Sequence, residues 1–156
     1  MKELRLSKGR GRTRIELRAY YLGNDLVVFI YNENAHLGAV AVGEYDHEEG
    51  RASSSVITRL GHRDDEIAKR QARLIARDTQ RPVCVISGVH LDNITTEEIK
   101  EILSQADRAV ADLLDELEKP KYQKNQPKRC KHKKRRLRWQ LNRERIIVIT
   151  SSVSTI

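Results

Sequence analysis

At 156 residues the chain is long enough to bury one two-layer core and too short for two, so a single core is expected. Two cysteines, Cys84 in an apolar run and Cys130 in a basic one, encode neither a disulfide framework nor a paired-cysteine zinc module, and no run approaches the roughly 20 apolar residues of a bilayer span; a cytoplasmic protein without a membrane segment is expected. The net charge of +8 lies in one place: from Lys119 onward the chain holds 13 of its 30 Lys and Arg but one of its 22 acids, Glu144, which leaves 17 bases against 21 acids, or −4, for residues 1–118. A basic face on the folded body, and nucleic-acid binding by that body, are therefore disfavoured.

In chain order, Ile15, Leu17, Ala19 and Tyr21 alternate with polar or amphipathic residues as in a half-buried strand. Gly23-Asn24-Asp25 is turn chemistry, and the continuous run Leu26 to Tyr31 reads as a strand buried on both faces, the two forming a hairpin. Leu37 to Gly43 gives a third strand, Tyr45 to Gly50 a turn, and Ser53 to Thr58 a fourth strand. Asp64-Asp65-Glu66 suits the positive end of a helix that carries Ile67, Ala68, Ala72, Leu74 and Ile75 to about Asp78. Pro82 opens a fifth strand, Val83 to Ile86. A second helix begins at a capping box, Thr95 with Glu98, flanked by Ile94 and Ile99 at hydrophobic-staple spacing. Its stripe of Ile99, Ile102, Leu103, Ala106, Val110, Leu113, Leu114 and Leu117 packs on a sheet or on a partner. The order ββββαβα predicts an α+β domain over residues 1–118: a largely antiparallel sheet of about five strands with two helices on one face. No glycine-rich phosphate loop is present. Residues 119–156 form a basic C-terminal tail, expected to be disordered.

Three histidines stand at or near strand ends, each beside glycine or a polar cluster. They lie in Asn34-Ala35-His36-Leu37-Gly38, in Gly61-His62-Arg63-Asp64-Asp65, and in Gly88-Val89-His90-Leu91-Asp92-Asn93-Ile94-Thr95. Imidazole exchanges a proton near neutrality, hydrogen-bonds a phosphate or a flavin ring, and ligates metals. The pattern marks a site without naming its ligand.

These three segments, in this order and after the strand run Leu26 to Tyr31, resemble the D subunit of gallate-type decarboxylases, a family also described as prenylated-flavin chaperones; the likeness spans about residues 20–117. The resemblance implies an accessory protein, not an enzyme. Such a protein binds prenylated flavin mononucleotide, or flavin mononucleotide, and delivers it to or maintains it for a UbiD-type decarboxylase, the cofactor coming from a flavin prenyltransferase. It also implies a fold related to proteasome assembly chaperones, commonly homodimeric. Carried over by position, His36, His62 and His90 line the site, Gly38 allows close backbone approach, Arg63 meets the phosphate with its two-pronged guanidinium, and Asn93 bonds the flavin's polar edge. The basic tail departs from the family pattern. Two alternatives stay open: a metal-dependent enzyme holding its ion through His36, His62 and His90, and nucleic-acid binding through the tail.

Overall fold

A computed structural model of the chain describes residues 3–118; the tail, and every expectation placed on it, lies outside the described residues. In chain order the elements are β1 (Glu3–Lys8), a 3-10 turn (Gly11–Thr13), β2 (Ile15–Leu22), β3 (Asp25–Tyr31), β4 (Ala39–Asp46), β5 (Arg51–Thr58), α1 (Asp65–Thr79), β6 (Val83–Gly88) and α2 (Thr96–Glu118). The strands form one six-stranded sheet in the order β1-β2-β3-β6-β4-β5. Every neighbouring pair is antiparallel except β3 with β6, which run parallel from Leu26 opposite Val83 to Tyr31 opposite Gly88. The α+β class and the mostly antiparallel sheet are as expected. The added strand is β1, whose Leu4 and Leu6 face the helices half-buried while Arg5 and Ser7 are exposed. With so short a run and so many charges around it, two leucines were not enough to mark it as a strand.

Both helices pack on one face. There Ile15 and Leu17 of β2, Val28 and Ile30 of β3, Ala41 of β4 and Val85 of β6 are all fully buried. They meet Ala68, Ala72 and Ile75 of α1 and Ala106, Val110 and Leu113 of α2, each likewise fully buried. Most of the stripe of α2 packs inside its own domain, against β1, β2 and α1, while Ile99 at its start is 44% exposed. The two helices are also joined by charge. Arg70 donates two hydrogen bonds to the Asp107 carboxylate, at 3.0 and 2.8 Å, and the buried Gln71 donates a third at 2.7 Å. The capping box forms as the sequence predicts: the Thr95 N–H donates to Glu98 Oε2 at 2.9 Å and the Glu98 N–H to Thr95 Oγ1 at 3.2 Å.

Among the described residues, the opposite face of the sheet carries no helix. The β3 run expected to be buried on both faces instead alternates, with Leu26, Val28 and Ile30 buried and Val27, Phe29 and Tyr31 half-buried on the open side. An unbroken apolar run conceals this difference, because the open side is as hydrophobic as the covered one. Tyr20 and Phe29 meet edge to face there with centroids 5.9 Å apart, and the Arg18 guanidinium lies 5.7 Å from the Tyr31 ring centre.

Candidate functional site

Because β3 and β6 are parallel, their carboxyl ends lie side by side, and antiparallel β4 starts at the same rim, where Ala39 pairs with both Ser87 and Thr58. Three connections therefore meet there: the one between β3 and β4 carrying His36 and Gly38, the one between β5 and α1 carrying His62 and Arg63, and the one between β6 and α2 carrying His90 and Asn93. The crevice beyond the carboxyl ends of neighbouring strands is where open sheets with parallel strands usually bind ligands.

The three histidines converge. His36 Nε2 and His62 Nδ1 share a hydrogen bond of 2.9 Å, and the His36 and His90 rings stand edge to face with centroids 5.1 Å apart. Asp64 supports them. It occupies the N-cap position of α1 yet makes no capping bond with its side chain. Its carboxylate turns to β6 instead, where Oδ1 accepts the Val89 N–H at 2.8 Å and the Ser87 hydroxyl at 3.4 Å. Its other oxygen, Oδ2, lies 3.7 Å from His62 Nδ1, and the side chain is only 6% exposed. One ligand atom from each of His36, His62 and Asp64 lies within 4.8 Å of the other two, a grouping of metal-ligating types. His90 lies outside this trio, and its Nε2 meets Asp92 at 3.2 Å.

Two glycines make the packing possible. A Cβ on Gly38 would stand 2.0 Å from Asp64 Oδ2, and one on Gly88 would stand 1.7 Å from the His36 carbonyl oxygen. At Gly38 the atom in close approach belongs to the protein's own carboxylate. The His90 backbone is fixed by Asn32, which donates to the His90 carbonyl at 2.8 Å and accepts its N–H at 3.1 Å. Arg63 is exposed and makes no hydrogen bond or ion pair among the described residues. Asn93 is exposed with φ at 51°, a left-handed turn position that asparagine tolerates better than most residues.

Beside His36 the site opens into a hollow of about 210 Å³ lined by Phe29, Tyr31, Ala35, Leu37, Ile86 and Gly88. This hollow shares Phe29 and Tyr31 with a trough of about 450 Å³ along the open face, which continues past Arg18 and Tyr20 to Val27 and Leu22. A cluster of titratable groups thus borders an aromatic shelf.

The prenylated flavin chaperone LpdD-like domain matches residues 9–118, which take in every element from the 3-10 turn to α2 and all three histidine loops. The chain belongs to that family. It is a family of chaperones, not of enzymes, and the three-histidine enzyme alternative gives way to it. No curated protein matches the sequence. Among solved structures, a chain of a chaperone complex for yeast 20S proteasome assembly aligns with a TM-score of 0.53 at 15% identity, covering 75% of this chain and 99% of that one. At that identity the likeness is one of fold, and it agrees with the α+β reading.

Within this chaperone, four contributors to the site were missed in the sequence: Asp64 as the carboxylate beneath the imidazoles, Asn32, and the shelf residues Phe29 and Tyr31. The shelf had a signal, since Phe29 and Tyr31 stand two apart on one strand opposite Arg18 and Glu16 of the next. The role of Asp64 had none, because an aspartate before a helix reads as a cap.

Proposed function

We propose that this chaperone binds reduced prenylated flavin mononucleotide at the histidine rim and delivers it to, or maintains it for, a UbiD-type decarboxylase in the cytoplasm, receiving it from a flavin prenyltransferase. What carries the reading is the convergence of three family-matched loops, bearing His36, His62 and His90, beside an aromatic hollow of about 210 Å³. A prenylated flavin has two chemical faces, a hydrogen-bonding edge with a phosphate tail and a hydrocarbon ring added by prenylation. Imidazoles suit the first and Phe29 with Tyr31 the second. Arg63, exposed beside the cluster, is assigned to the phosphate, with Gly38 and Asn93 bordering the approach. A homodimer is also proposed. Its interface is assigned to the open sheet face, where Val42 is 47% and Ile57 80% exposed, since most of the α2 stripe packs in the core.

The test is anaerobic binding of reduced prenylated flavin mononucleotide, with plain flavin mononucleotide as control, followed by transfer to an apo-decarboxylase. Binding that activates the decarboxylase, and that weakens by about 10- to 100-fold in His36→Ala or His90→Ala, is the expected result, the loss of a hydrogen bond to a charged group being of that size. Failure of the intact chain to bind either flavin overturns the proposal.

A further inference from the structure

We propose that His36, His62 and Asp64 bind one divalent first-row transition metal ion, a property that does not depend on the flavin reading. Asp64 is 6% exposed, and an ionised carboxylate so buried needs donors or a cation. Its Oδ1 has two donors, from Val89 and Ser87, whereas Oδ2 has none within hydrogen-bond distance among the described residues and faces His62 Nδ1 at 3.7 Å. That nitrogen is already engaged with His36 Nε2 at 2.9 Å. Two ring nitrogens and a carboxylate oxygen thus point at one small volume with a single shared proton between the rings.

Distances favour an ion there. Metal–ligand bonds of about 2.0–2.1 Å separate neighbouring donors by about 3.0 Å at right angles and about 3.4 Å at the tetrahedral angle. The two separations that involve His62 Nδ1, 2.9 and 3.7 Å, bracket those values, and all three donors lie within 4.8 Å of one another, so closing the set takes side-chain movement only. Each ring would offer a lone pair where one now offers a proton, which requires a change of tautomer and no change of fold. Gly38 and Gly88 permit this closeness, since a Cβ on the first would collide with Asp64 Oδ2 and one on the second with the His36 carbonyl oxygen. A set of two nitrogens and one carboxylate selects zinc, cobalt, iron or nickel over calcium and magnesium, which take oxygen ligands. Three protein ligands leave at least one position on the ion open.

The experiment is titration of the metal-free full-length chain, carrying no histidine tag, with cobalt(II), read by its visible d–d absorption and by competition with zinc. One equivalent is expected to saturate the signal. His36→Gln and His62→Gln should each weaken uptake by more than about 100-fold, beyond the 10- to 100-fold typical of groups behind the ligands. His90→Gln and Cys130→Ser should leave it intact, the second because the tail holds its own thiol beside His132. Absence of saturable uptake by a wild-type chain that circular dichroism shows to be folded overturns the proposal, as does uptake unchanged in His62→Gln or lost in Cys130→Ser.

Discussion

Gly88 is the residue on which the site's geometry is least forgiving. Its missing side chain leaves room for the carbonyl of His36, and a Cβ placed there would stand 1.7 Å from that oxygen. Backbone cannot swing aside as the end of a long side chain can. Gly88→Ala is therefore expected to cost about 1–3 kcal/mol, the range for overpacking a filled interior, and to displace His36 from His62. Urea unfolding measures the first effect, and the ring protons of His36 in an NMR spectrum report the second. The histidines themselves were legible in the sequence because each stood beside glycine or a polar cluster at a strand end. Asp64 was not, since its local context predicts a cap and only the fold brings Ser87 and Val89 within reach of its carboxylate.

At the scale of elements, the sequence was most informative where the cause of structure is local. The start of α2 is set by Thr95 and Glu98, three positions apart, whose reciprocal bonds need nothing from the rest of the chain. Thr95→Ala removes one of those bonds and should lower stability by about 1 kcal/mol, seen as a smaller urea midpoint with an unchanged slope. Both helices and five strands were recognisable from the same kind of evidence. β1 was not, because what makes Glu3–Lys8 a strand is its neighbour: Leu4 and Leu6 pair with Ala19 and Leu17 and share their helix-facing side. The two-sided burial expected of β3 failed for a related reason. Periodicity reports which residues are apolar, while the number of layers a sheet receives depends on how many helices the chain supplies, and here two helices cover one face.

For the whole molecule, the uncovered face is the main consequence of that count. It carries the aromatic shelf at the histidine rim and, across the sheet toward its edge, the exposed side chains of Val42 and Ile57. The homodimer proposed above predicts that Ile57→Asp, a residue 80% exposed and so nearly without effect on the fold of one chain, halves the mass seen by light scattering. A wild-type chain already monomeric removes the homodimer and leaves the histidine rim untouched. The sheet also constrains the order of assembly. β6 sits between β3 and β4, yet follows both in the chain and is separated from β3 by the whole of β4, β5 and α1. The middle of the sheet is thus synthesised after its two flanks. Until Val83–Gly88 has been made, β3 and β4 each present an unpaired edge, and neither the acceptor for the Gly38 N–H at Ser87 nor the Val89 donor for Asp64 exists. On the ribosome, the histidine rim comes into being only when β6 slots in, so a chain that ends before Val83 has the flanking strands without the crevice between them.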